Sequence, residues 1–168
     1  MEQTCWTIKI AGVSGTGKTT VMEGLKGSPD VSCGIIIYSQ LLQEFGSQEV
    51  ADLELAKRLA SSRGLVLMDD HLEFDNPRKT QDYVRQNTRG LVLLDVPLED
   101  LTLRINGDRG RHREVDPARL SRNLRVSRNK ALRLARETRT PLLVIPNLHG
   151  EQDRSIALIK AFVLTNSP

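Results

Sequence analysis

The sequence predicts an α/β fold, a parallel sheet with helices on both faces, and three observations carry that prediction. Five short apolar runs, "TIKIA", "GIIIY", "GLVLM", "GLVLLDV" and "PLLVI", recur along the 168 residues. Segments with helical spacing separate them, and strands alternating with helices pair in parallel with both faces buried. The first run leads directly into a glycine-rich turn followed by a helical pattern, a place where main-chain amides and a helix dipole converge on anions.

The length suits one domain, 1–168, with a sizeable core. Hydrophobic residues make up 39% and charged residues 27%, as in a soluble globular protein. No apolar run approaches the ~20 residues of a membrane span, and no charged-then-apolar leader precedes the first strand. Cys5 and Cys33 lack metal-ligand spacing and read as small core residues in a reducing cytoplasm. Net charge is only +3, but the basic residues are unevenly placed.

The elements follow in order. Thr7 to Ala11 reads as a buried strand and Thr19 to Lys26 as a short helix, with Gly27 as its stop and Ser28-Pro29-Asp30 as a turn. Gly34 to Tyr38 is the second strand. Ser39 to Phe45 and Glu49 to Ser62 repeat apolar residues at helical spacing, Leu41, Leu42 and Phe45, then Val50, Leu53, Ala56 and Leu59 or Ala60. Gly64 to Met68 is the third strand and ends in Asp69-Asp70-His71. Thr80 to Asn87 reads as a helix, Gly90 to Val96 as the fourth strand, and Leu98 to Ile105 as a helix. Asn106 to Asp116 is polar and arginine-rich. Pro117 to Glu137 carries Leu120, Leu124, Ala131 and Leu134 near period 3.6, Pro141 to Ile145 is the fifth strand, and Asp153 to Leu164 is the closing helix. Ligands of such a sheet bind beyond the carboxyl ends of its strands.

Gly12-Val13-Ser14-Gly15-Thr16-Gly17-Lys18-Thr19 fits G-x-x-x-x-G-K-[ST], the phosphate-binding loop, or Walker A motif. Glycines let the backbone curl so that successive N–H groups face one anion. The following helix adds its positive end. Lys18 is expected to reach the β- and γ-phosphates and the Thr19 hydroxyl to ligate Mg²⁺. A regulatory GTPase would also show N-K-x-D. The nearest stretch, Asn129-Lys130-Ala131-Leu132, lacks the aspartate and falls mid-helix. A small kinase is therefore favoured over GTPases and over large ATPase motors, which need more chain.

Asp69 stands where a Walker-type aspartate would follow an apolar strand, placed to hold Mg²⁺ through water or to orient an acceptor group. Asp70 and His71 read either as acceptor-side groups or as a cap and a surface residue. From Arg104 to Arg139 the chain is dense in arginine: Arg109, Arg111 and Arg113 in the loop, then Arg119, Arg122, Arg125 and Arg128 at intervals of three. Arginine forks stabilise the charge that phosphoryl transfer spreads over its oxygens. Arg109, Arg113 and Arg128 are the catalytic candidates; the first two lie on a segment at 106–118 expected to close as a lid, with Gly107 and Gly110 giving it freedom, and Arg128 lies on the helix that follows. Arg119, Arg133, Arg136 and Arg139 read as a solvated face. RNA contact is a further reading of the stripe, but aromatic residues are only 4% of the chain, which leaves few base-stacking platforms.

Taken in order, "GVSGTGKTTV", "YSQLL", "VLMDDH", "LRINGDRGRHRE", "SRNKA" and "VIPN" resemble the nucleoside monophosphate kinase group, most of all the archaeal-type adenylate kinases. The likeness spans nearly the whole chain, and its first patch is the specific one. It implies the three-layer P-loop kinase fold, with sheet order 2-3-1-4-5, and phosphoryl transfer from MgATP to a monophosphate. It also implies that Gly15 to Thr20 hold ATP phosphates and that Ser39 and Gln40 open the acceptor-binding helices at 39–62. Arg109 and Arg113 become lid arginines, and Pro146 and Asn147 lie beside the adenine. The chain departs from the group where an acceptor-gripping arginine would stand, because Gln43 occupies that place and only Lys57 and Arg58 precede Arg63 as cations. Arg78 is the residue that could compensate.

The expectation is thus a cytoplasmic phosphotransferase using ATP and Mg²⁺, with a nucleoside monophosphate as acceptor. The alternatives are a kinase for a non-nucleotide metabolite and an ATP-binding module in an RNA or protein assembly. No membrane partner is expected, and the oligomeric state stays open.

Overall fold

The first strand is the middle of the sheet. In a computed structural model that describes residues 5–70, 87–108 and 116–167, β1 (Cys5–Ala11) pairs in parallel with two strands that come later in the chain. On one side is β3 (Gly64–Asp70), in register Cys5↔Gly64 to Ala11↔Asp70. On the other is β4 (Thr88–Leu94), where the register shifts between Thr7 and Ile8. β2 (Cys33–Ile36) flanks β3 and β5 (Leu142–Ile145) flanks β4, which gives the expected order β2-β3-β1-β4-β5. An interior parallel strand is covered on both faces, which is why β1 is an almost unbroken apolar run.

Side chains alternate across the sheet. Ile8, Ile10, Leu65, Leu67, Val92 and Leu94 face one layer, made by α1 (Lys18–Lys26) and the last helix, α6 (Gln152–Thr165). Val66, Met68 and Cys5 face α2 (Tyr38–Phe45) and α3 (Gln48–Ser61), while Ala11, Leu91 and Leu93 face α5 (Pro117–Thr138). Val13, Val96, Leu101, Ile105 and Leu124 close the carboxyl end of the sheet between α4 (Leu98–Gly107) and α5. Each fully buried leucine or isoleucine contributes about 1.5–3 kcal/mol. At Gly24 a Cβ would lie 2.4 Å from Ile156 Cδ1, so this glycine sets how closely α1 and α6 approach.

Several boundaries differ from expectation. Tyr38 starts α2 instead of ending β2, because the Asp69 carboxylate accepts its N–H and satisfies an orphan donor of the first turn. β4 begins two residues earlier than Gly90 and stops at Leu94, before Pro97. α3 starts at Gln48 because Ser47 caps it, its side chain accepting from the Val50 N–H. Gly27 does end α1, but in a right-handed conformation at φ −74°, so it acts without the left-handed turn usual for glycine. Gly107 belongs to the last turn of α4, which corrects its reading as a free hinge. The helix expected over 80–87 lies, apart from Asn87, outside the described residues.

Candidate active site

The glycine-rich turn runs from the carboxyl end of the central strand into α1. Gly12, Gly15 and Gly17 hold φ of 150°, 92° and 92°. The two left-handed values need glycine. At Gly12 space decides: a Cβ would meet Thr16 Oγ1 at 2.6 Å and Leu94 O at 3.0 Å. Thr16 is fully buried and donates its hydroxyl to Val13 O at 2.9 Å, which ties the turn across itself. Lys18 is only 7% exposed, and its Nζ donates to Gly12 O at 2.6 Å and Val13 O at 3.1 Å. Its ammonium group is therefore carried by the loop's own carbonyls. Ser14, Thr19 and Thr20 are exposed around the mouth of the loop. Gly17 is the N-cap of α1, and no side chain caps that helix, so its first amides are presented to a ligand.

Asp69 is 5% exposed at the end of β3, and its register partner is Ile10 on the loop-bearing strand. Alternation places it on the face of Leu65 and Leu67, which α1 covers. The exposed Thr19 hydroxyl at the start of α1 and this carboxylate are hard oxygen donors of the kind Mg²⁺ takes, so the residues present fit the ion. Asp69 Oδ1 also accepts the Tyr38 N–H at 2.6 Å, and the Tyr38 hydroxyl donates to Asp52 Oδ1 at 2.5 Å on α3. The expected magnesium carboxylate is thus joined to both of the helices expected to bind the acceptor. Ser39 and Gln40 lie in the first turn of α2, half-buried and exposed respectively. Asp70 is the last residue of β3. His71, Arg78, Arg109 and Arg113 lie outside the described residues.

Arg128, expected at the chemistry, projects from α5 and donates Nε–H to Asp95 Oδ2 at 2.8 Å. The arginine is 55% exposed and the aspartate 15%. That hydrogen bond, with the carboxylate's charge, pushes the Arg128 pKa further up. The pair is too exposed to add more than about 1 kcal/mol of stability, so its effect is to direct the guanidinium. Asp95 follows β4, and its own N–H donates to Ile145 O at 2.8 Å. Sequence reading passed over Asp95, although it ends an apolar strand just as Asp69 does.

Asn147, expected beside a nucleotide base, is 1% exposed and left-handed at φ 41°. Its Nδ2 donates to Thr16 O at 2.7 Å. Arg104 of α4 donates NH1 to the same carbonyl at 3.0 Å and NH2 to Asn147 O. Burial lowers the Arg104 pKa, opposed by the nearby Asp100 charge. Asp100 also accepts the His149 N–H at 3.0 Å. α4, the loop after β5 and the glycine turn are therefore bound together. Sequence reading placed Arg104 only at the start of the arginine-dense segment.

A glycine loop closing on a buried lysine, beyond the central strand of a 2-3-1-4-5 parallel sheet, defines the fold of the P-loop kinases. Among solved structures, shikimate kinase from Acinetobacter baumannii in complex with shikimate superposes with a TM-score of 0.64 at 20% identity, over 98% of this chain and 96% of that one. Shikimate kinase from Bacteroides thetaiotaomicron matches at 0.64 and 12%, covering 95% and 98% of the two chains. A gluconokinase from Sinorhizobium meliloti matches at 0.53 and 18%, covering 97% and 98%. At these identities the likeness is one of fold. It shows the P-loop kinase fold and does not single out the archaeal-type adenylate kinases. No protein-family model and no curated protein sequence matches the chain. None of the described helices is long and apolar enough to cross a membrane.

Proposed function

We propose that this chain transfers the γ-phosphoryl group of MgATP to a hydroxyl of a small, non-nucleotide metabolite. The observation that carries the phosphotransferase reading is the loop itself, with left-handed glycines, an uncapped helix N-terminus and a buried lysine ammonium at one point. Its amides hold the polyphosphate, and Lys18 moves from its carbonyl partners to the transferring oxygens. Magnesium would be held by Thr19 and Asp69 and would supply charge neutralisation to the bound polyphosphate. As the acceptor oxygen attacks phosphorus, its proton passes to a carboxylate at the end of β3 and ADP leaves. Arg128, aimed by Asp95, and the loop arginines Arg109 and Arg113 stabilise the charge in transit. Ser39, Gln40, Asp70, His71 and Arg78 form the acceptor side. Asn147 belongs to the nucleotide side.

The acceptor class is supported by α2 and α3. The place expected for an acceptor-phosphate arginine holds Gln43, which is exposed. Arg58, the one arginine of these two helices, is engaged by Glu54 at 2.9 Å and Glu44 at 3.5 Å. Fold neighbours that are named as metabolite kinases point the same way. An ADP-release screen with MgATP tests the proposal, using shikimate, gluconate, polyols and nucleoside monophosphates as acceptors. Turnover with hydroxylated metabolites and none with AMP is expected. Fastest turnover with AMP returns the acceptor to the adenylate kinase reading, and no acceptor-dependent ADP release removes the phosphotransferase reading.

A further inference from the structure

We infer that Arg104 and Asn147 are positioning residues that set the direction of one amide in the phosphate cradle, the N–H of Gly17. This rests on the reading of the loop as a polyphosphate site and adds a role for two residues behind it.

The argument begins with the peptide bond. The Thr16–Gly17 bond is trans, as are all the described bonds, so its C=O and N–H point in opposite directions from one plane. The carbonyl end of that plane is held by two donors, Arg104 NH1 at 3.0 Å and Asn147 Nδ2 at 2.7 Å. With the oxygen fixed toward α4 and the loop after β5, the Gly17 N–H must point away from them, to the side of the turn that α1 opens toward. That N–H donates to no described residue. Without these two donors the plane is free to rotate, because glycine tolerates both signs of φ.

The bracing pair is itself braced. Arg104 NH2 donates to Asn147 O, so the fork spans both loops. Asn147 keeps a left-handed conformation to present its amide, and a Cβ on Gly17 would lie 2.9 Å from its Nδ2. Arg104 makes no ion pair with a described carboxylate, and its Nε and Asn147 Oδ1 have no hydrogen-bond partner among the described residues. These are costs that core packing alone does not explain. They are consistent with a pair kept for where it holds the loop.

The test titrates magnesium tripolyphosphate and MgATP calorimetrically into the wild type, Arg104→Lys, Arg104→Met, Asn147→Ala and the Arg104→Met/Asn147→Ala double variant. Thermal melts check that each is folded, and the Gly17 amide proton is followed by NMR. In the wild type tripolyphosphate should move that resonance downfield. In Arg104→Met and Asn147→Ala tripolyphosphate and ATP should both bind about tenfold to a hundredfold more weakly, and the Gly17 shift should shrink. The two losses should be less than additive in the double variant, because both donors serve one carbonyl. Arg104→Lys keeps the charge without the fork and should not restore the shift. The inference is overturned if folded Arg104→Met binds tripolyphosphate as the wild type does, if only ATP is affected, or if lysine restores both readouts. A wild type that binds neither ligand removes the proposed function and this inference together.

Discussion

Lys18 concentrates the chemistry of the proposed site in one side chain. Its ammonium donates to the loop carbonyls of Gly12 and Val13 and is the cation proposed to meet the transferring oxygens, so Lys18→Ala should lower ADP release by at least about a hundredfold. Asp69 has an observed partner, the Tyr38 N–H, and a proposed one, magnesium, which makes its variants informative. Asp69→Asn keeps an oxygen for the Tyr38 N–H but loses the charge, so it should shift the magnesium dependence to higher concentration and leave stability nearly intact. Asp95→Ala should lower turnover by releasing Arg128, with less than about 1 kcal/mol lost in urea unfolding. At this scale the sequence was legible where a residue's neighbours in the chain define its job. Gly12 to Thr19 form one contiguous device. Asp95 was as legible as Asp69 by the same rule of an acid closing an apolar strand. Arg104 was not, because its partners Thr16 and Asn147 stand 88 and 43 residues away. Among many arginines, only folding distinguishes it.

Among the elements, the helices were readable by their periodicity and less so by their ends. α5 begins where Pro117 predicts, because the Asp116 side chain caps it by accepting from the Ala118 N–H at 3.0 Å. Asp116→Ala should cost about 1 kcal/mol, read as a lower urea midpoint at unchanged slope. The start of α2 was missed because its cap comes from another strand, and no local pattern announces a carboxylate 31 residues away. The contact of α1 with α6 gives a further expectation. Gly24→Ala gains about 0.5–1 kcal/mol of helix preference, but the new methyl meets Ile156 Cδ1 at 2.4 Å and Cγ1 at 3.1 Å. Overpacking costs about 1–3 kcal/mol, so the variant should be less stable. Gly24→Ala combined with Ile156→Val should recover part of the loss.

For the whole molecule, the parallel layering was legible, since alternating strands and helices admit few right-handed arrangements, while the sheet order was legible only through the resemblance to the nucleoside monophosphate kinase group. A ligand that binds only the folded chain raises its stability. Magnesium ATP at about a hundred times its dissociation constant should add about 2.7 kcal/mol, roughly 5–10 °C in melting temperature for a chain of this size. A flat melting curve across that range would count against the nucleotide site. Burial raises the pKa of both Cys5 and Cys33 above the ordinary 9.0. The folded state therefore favours the neutral thiols. The stability they lend is complete below pH 9.0 and is lost as pH climbs through the raised values. Replacing both with alanine should flatten the decline of the urea midpoint at alkaline pH.

The central place of β1 has a consequence for how the chain is made. Both of its hydrogen-bonded neighbours are encoded downstream, β3 ending at Asp70 and β4 at Leu94. As the chain leaves the ribosome, this central strand emerges before both of its partners and waits unpaired, and its ladder closes only once the chain has been made through β4. Nascent chains stalled short of residue 94 should accordingly retain no nucleotide and should be cut readily by protease. Those released just beyond β5 should begin to resist.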